Sequence, residues 1–394
     1  TEWFHDLIGR YEKWAVYEYD WKRKRDASIR ELVFPFTYRA GQRELAAVVY
    51  HTIEDKKRLF IEAPTGVGKT ITTVFPALKA MGEGLSDRIF YLTAKTITRT
   101  VAEECFDLLC AQRLTFKPIT ITAKEKMCVL DRVSCNPGDC ERAAGHYDRV
   151  NEAVYDMLVS EERLSREIIL SYAAKHRVCP FEMGLDAALY ADAVICDYNY
   201  AFDPNVYLRR FFAAEKKGNM TFLVDEAHNL VERGREMYSA SLVKEDVLLV
   251  RRILKSQTGA GKVLTQLDKL NQKFLDLKRS YGSEDAEGII HRQVLGSDYE
   301  LLPDVNLLAL QLMTMFGELE SFMNENVEFG DRDLVLEFYF AVRDFLYVYD
   351  RLDEHYRIYD QILTDGSFMV KLLCINPAAN LKECLDKGVS TLFF

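Results

Sequence analysis

The sequence predicts an α/β fold in which a mostly parallel sheet is interrupted by two insertions. Short apolar runs recur along the chain, at Leu59-Phe60-Ile61, Arg88 to Thr93, Ala193 to Cys196 and Thr221 to Val224. Helical patterns lie between several of them, around 40–53 and from Ile71 to Met81. Apolar strands alternating with helices are the pattern of a parallel sheet covered on both faces. The rhythm breaks twice. Residues 105–185 hold most of the cysteines and little strand signal, and 235–368 read as long amphipathic helices. Within the latter, Leu334, Leu336, Phe338, Val342, Phe345 and Leu346 form an apolar helical face, read as core packing. Sheet character returns at Val370 to Leu373 and Thr391 to Phe394.

A chain of 394 residues exceeds what a single core usually supports, so several domains are expected. The boundaries read as an N-terminal segment 1–33, a discontinuous sheet domain 34–104 plus 186–234 plus 369–394, and the insertions 105–185 and 235–368. The basic run Lys22-Arg23-Lys24-Arg25 reads as a solvated helix face. No stretch reaches the roughly 20 apolar residues of a membrane span, and nothing at Thr1 has the form of a signal peptide. The absence of an initiator Met points to a fragment or a processed chain. Nine cysteines without a secretory signal fit a reducing compartment. The net charge of −10 is unevenly spread. Residues 281–370 carry 19 Asp and Glu against 5 Arg and Lys, leaving the rest of the chain near +4. Overall acidity therefore does not exclude a polyanionic partner.

Residues 63–70, Ala-Pro-Thr-Gly-Val-Gly-Lys-Thr, follow one apolar strand and open a helix. Free N–H groups at a helix start bind phosphates. Gly66 and Gly68 let the backbone approach closely, Thr65 and Val67 complete the loop, Lys69 serves the β- and γ-phosphates, and Thr70 offers a hydroxyl to Mg²⁺. Asp225-Glu226 ends another apolar strand, which places Asp225 to hold Mg²⁺ and Glu226 to orient or deprotonate the attacking water. Hydrolysis of ATP is the chemistry these residues imply, with Glu226, Asp225 and Lys69 as its catalytic set.

Cys128, Cys135, Cys140 and Cys179 lie in the first insertion with 6, 4 and 38 residues between them. Cys-x-x-Cys pairs are absent, and the spacing alone leaves an iron–sulfur cluster, zinc and unligated thiols all open. Cys105, Cys110, Cys196, Cys374 and Cys384 read as structural.

Taken together the motifs resemble the XPD/DinG family of superfamily 2 DNA helicases. Phe34-Pro35-Phe36 with Arg39 and Gln42 is similar to its adenine-reading motif, and residues 63–70 to motif I. Tyr91 to Thr96 resembles motif Ia, Cys179-Pro180-Phe181 the last cluster ligand, and Asp225 to Asn229 the DEAH box. Cys196 to Pro204 resembles the segment preceding that box. The resemblance implies a RecA-like motor domain with a [4Fe-4S] insertion held by the four cysteines and a helical Arch insertion at 235–368. It also implies ATP and Mg²⁺ as ligands, single-stranded or forked DNA as partner, 5′ to 3′ movement, and a role in repair or replication. Thr96, Tyr198 and Asn199 are the implied DNA contacts. A monomer in a bacterial-type, nucleoid-associated cytoplasmic setting is expected.

Two features depart from the family. The long gap before Cys179 differs from the tighter spacing typical of XPD, and the chain stops at Phe394, just before motif III. The second motor domain with its arginine finger is therefore expected to be missing, and the isolated chain to hydrolyse ATP very slowly. An RNA or RNA–DNA hybrid helicase, a redox-responsive DNA-binding module and a small-molecule ATPase are the alternative readings.

Overall fold

The computed structural model describes residues 2–63, 68–213, 217–280, 299–326 and 328–394. The chain divides into two compact units, Thr1–Leu230 with Leu381–Phe394, and Val231–Asn380.

The first unit is built on six parallel strands. In chain order they are β1 (Arg58–Phe60), β2 (Arg88–Thr93), β3 (Pro118–Thr120), β4 (Ala193–Asp197), β5 (Met220–Val224) and a last strand, Ser390–Phe393. Their order across the sheet is β1, the last strand, β5, β2, β4, β3. Every residue of β5 is buried, and so is all of β2 after Arg88, which is why these strands are continuous apolar runs. Helices α1 (Glu2–Glu31), α2 (Gln42–Glu54), α3 (Lys69–Gly82) and α4 (Thr96–Cys110) accompany the sheet. Gly82 permits the crossing of α1 on α3, since a Cβ there would lie 2.6 Å from Ile29. Because all strands run the same way, the segments leaving β1, β2, β3, β4 and β5 emerge at one edge of the sheet. That edge is where open α/β sheets bind ligands.

Two expectations need correction in this unit. The first insertion, read as holding little strand signal, contains β3, which pairs in parallel with β4, with Pro118 opposite Ala193. The basic run 22–25 is not simply a solvated helix face. Arg25 is buried and its guanidinium donates to Asp192 at 3.0 Å. Lys22 pairs with Asp87 at 2.8 Å, so only part of the basic run faces water freely.

The second unit holds four antiparallel strands as well as helices. The strands Ala240–Val243, Phe368–Cys374, Tyr356–Ile362 and Tyr299–Leu301 pair in that order. The long helices Gly261–Ser280, Asn306–Glu325 and Arg332–Tyr349 match the amphipathic pattern; Phe338, Val342 and Phe345 are buried as expected, whereas Leu334 of the expected face is exposed and Val335 is buried in its stead. The strand expected at Val370–Leu373 exists, but it pairs here, with Val370 opposite Asp360 and Leu242, and not in the parallel sheet. The region expected to be purely helical is thus mixed, and residues 369–380 fall with it.

Candidate nucleotide site

Three segments that share the C-terminal edge of the sheet build the site. Gly68, at φ +73°, precedes α3, and Lys69 and Thr70 are the first residues of that helix. Thr65, Gly66 and Val67 lie outside the described residues. A Cβ on Gly68 would sit 3.0 Å from Nε2 of Gln42, so this glycine is required both by its backbone angle and by its neighbour. Gln42 is buried, and its Oε1 accepts from the backbone N–H of Arg39 at 2.8 Å. Gln42, in the segment resembling an adenine-reading motif, therefore abuts Gly68. Phe34 anchors it, stacked on Tyr38 at 4.0 Å and set edge-on to Phe75 of α3.

Asp225 comes to the site at the end of β5. Its N–H donates to the carbonyl of Leu92 at 2.9 Å, and its side chain is 6% exposed. Burial raises the pKa of this carboxyl, while the hydrogen bond from Tyr91 and the charge of Lys69 act against the rise. The Tyr91 hydroxyl donates to Oδ2 of Asp225 at 2.9 Å, and burial raises the phenol's pKa far above its usual value. Thr70 reaches the same phenol. Glu226 follows at φ +52°, a backbone conformation uncommon outside glycine. Its carboxylate is about a third exposed and lies 3.6 Å from Nδ1 of His228. The arrangement presents a lysine, a hydroxyl and a buried carboxylate beside a more accessible one.

Tyr198 requires a correction. It was expected to meet DNA, yet it is fully buried, and its hydroxyl donates to the carbonyls of Asp225 and Glu226. It braces the turn that carries both carboxylates and has no ring face available to a base. Asn199 is half-buried and starts a short helix, its N–H donating to Asp197 at 2.9 Å. The side chain of Thr96 lies outside the described residues.

The family model DEAD_2 matches residues 93–247, from the end of β2 through both carboxylates. In overall fold the chain is similar to a solved XPD helicase, with a TM-score of 0.57 at 14% identity over 91% of this chain and 58% of that one. A truncated XPD gives 0.53 at 13% identity, covering 89% of this chain and 92% of that one. These matches are to XPD/DinG-like superfamily 2 helicases, which this chain resembles. Its sequence is 23% identical to regulator of telomere elongation helicase 1 of Homo sapiens over 288 residues, 58% of this chain. The chain spans only 23% of that relative's length.

In this XPD/DinG-like chain the four candidate cluster ligands fall in the insertion between α4 and β4. Cys128 follows α5 (Lys124–Met127), Cys135 and Cys140 flank the Pro137-Gly138 turn, and Cys179 caps the helix Pro180–Ala187. All four thiols are free. Burial raises the Cys179 pKa, opposed by hydrogen bonds from the N–H groups of Glu182 and Phe181, and Cys135 is near enough to add to the rise. Lys124 Nζ lies 3.5 Å from the Cys135 sulfur. These donors suit a bound thiolate. Among the described residues, however, no group of three or more His, Cys, Asp or Glu is gathered closely enough to hold a metal ion. Sequence reasoning passed over His146, which is buried and accepts the N–H of Cys179 at 3.2 Å. Only a histidine within the cysteine-bearing insertion could have flagged it.

Between α4 and the same insertion a cavity of about 620 Å³ opens at strand β3, where Arg99, Lys126, Arg163 and Arg166 line it with Glu103, Asp107 and Glu167. Glu103 is engaged by the Thr120 hydroxyl at 2.6 Å and Asp107 by Arg163 at 3.1 Å.

Proposed function

We propose that this chain is the ATP-binding and single-stranded-DNA-binding part of an ATP-dependent 5′ to 3′ DNA helicase of the XPD/DinG type. One observation carries the reading. Lys69 and Thr70 follow β1, Asp225 and Glu226 follow β5, and the fold brings the charges of Lys69 and Glu226 to bear on Asp225. In this reading Lys69 holds the β- and γ-phosphates, Thr70 and Asp225 hold the magnesium ion, and Glu226 orients the attacking water. Magnesium supplies charge neutralisation at the phosphates. The exposure of Glu226, beside a buried Asp225, suits a group that must meet water.

The DNA strand is proposed to follow the same edge of the sheet, past Thr96 and Asn199 toward the basic cavity. The four arginine and lysine side chains there, set against three acids, support phosphate contact. Cys128, Cys135, Cys140 and Cys179 are proposed to hold a [4Fe-4S] cluster, which would brace the insertion. The support is four unpaired thiols in one insertion and the N–H groups directed at Cys179.

Titration with a fluorescent ATP analogue tests the nucleotide reading. Lys69→Ala should abolish Mg²⁺-dependent binding, and Glu226→Gln should retain it. Equal binding by wild type and Lys69→Ala would refute the site. Metal analysis of protein purified without oxygen tests the cluster: about four irons per chain with brown colour is expected, and stoichiometric zinc in colourless protein would overturn it. Matched DNA and RNA single strands should differ in affinity in favour of DNA.

A further inference from the structure

Tyr91 stands apart from the groups that the nucleotide reading already uses. It is a strand residue in the middle of the sheet, fully buried, and it neither contacts solvent nor carries a charge at neutral pH. Its side chain could have been a phenylalanine if packing were all it supplied. Instead the hydroxyl donates to Oδ2 of Asp225 at 2.9 Å. One buried oxygen thus meets a carboxylate assigned to magnesium, although the two residues lie 134 apart in sequence.

We propose that Tyr91 is a positioning residue for magnesium, holding the Asp225 carboxylate in the orientation that receives the ion. The physical argument runs through the carboxylate. A buried Asp with one oxygen bound to a rigid phenol keeps a single rotamer, with Oδ1 left for the ion or its water. Without the phenol, Oδ2 has lost its donor, and the side chain can rotate. Partners of this kind, which touch the ligand and not the metal, typically change metal affinity by about 10–100-fold when removed.

The inference rests on the nucleotide reading above, and its test separates the two. Binding of a fluorescent ADP analogue is titrated for wild type and Tyr91→Phe, once in EDTA and once across a magnesium series. The expected result is unchanged binding in EDTA, with the magnesium concentration at half effect raised about tenfold. Excess magnesium should restore the wild-type affinity. A merely structural role would weaken both arms together and would resist rescue, and that outcome overturns the proposal. So does a magnesium dependence identical to wild type. If wild type itself shows no magnesium-dependent binding, the nucleotide reading fails and this inference falls with it. Thermal unfolding of Tyr91→Phe, a change that keeps the ring, reports whether the fold is intact.

Discussion

Replacing Asp192 should detach the N-terminal helix from the sheet domain. Asp192 is 3% exposed and starts no strand of its own, yet it collects three donors from distant segments. Arg25 Nη1 lies at 3.0 Å, Trp21 Nε1 at 3.0 Å and the backbone N–H of Lys117 at 2.8 Å. In Asp192→Ala all three lose their acceptor, and the Arg25 cation stays buried. Breaking a buried ion pair from one side typically costs about 3–5 kcal/mol. Arg25 keeps Asp26 at 2.7 Å, which places the expected loss at the lower end, ~3 kcal/mol. Asp192→Asn retains an acceptor oxygen and should cost less, ~2 kcal/mol. Burial lowers the pKa of Lys117 to about 8, and the negative charge of Asp192 works against that shift, so the same substitution should lower it further. Hydrogen exchange is the appropriate assay, because it resolves segments where a multidomain unfolding curve does not. The amides of α1 and β3 should lose protection while those of β5 keep theirs. Unchanged protection of α1 in Asp192→Ala would refute the reasoning, since the buried pair would then not be what attaches the helix.

Gly68→Ala should lower nucleotide affinity about tenfold and stability by roughly 1–2 kcal/mol, because φ +73° strains an alanine and its Cβ meets Gln42 at 3.0 Å; an unchanged titration would remove Gln42 and Gly68 from the site. In the second unit, burial and the neighbouring Glu300 push the carboxyl of Asp360 up to about 7, and neither oxygen has a hydrogen-bond partner among the described residues. A folded-state value above the unfolded one means the contribution is fully present below about pH 4 and lost as pH rises through about 7. Urea titrations should therefore show this unit weakening by ~2–3 kcal/mol between pH 5 and 7, and Asp360→Asn should flatten that slope. A slope of the same size in the variant would assign it to another group.

Much of the motor sheet was legible before any coordinate. Strands buried on both faces must be apolar throughout, so β2, β4 and β5 could be read locally, and the glycine-rich segment between β1 and α3 stood out by composition. The four cysteines and the Asp-Glu pair were equally visible, because chemistry of that kind is written in residue type. Partition between sheets was not. Val370–Leu373 alternates in burial within an antiparallel sheet, and nothing local distinguishes that from a strand of the parallel one.

Side-chain roles were the least legible. Tyr198 resembles an exposed base-stacking residue when read beside Asn199 and Tyr200, and the fold turns its hydroxyl inward onto the carbonyls of Asp225 and Glu226. Tyr91 and Asp225 lie 134 residues apart, and Arg25 and Asp192 lie 167 apart. Periodicity and propensity act over a few residues, so the sequence by itself determined the strands, the phosphate loop and the list of chemically capable groups. Tertiary structure decided which of those groups meet, because a buried polar atom takes its partner from whatever segment the packing delivers.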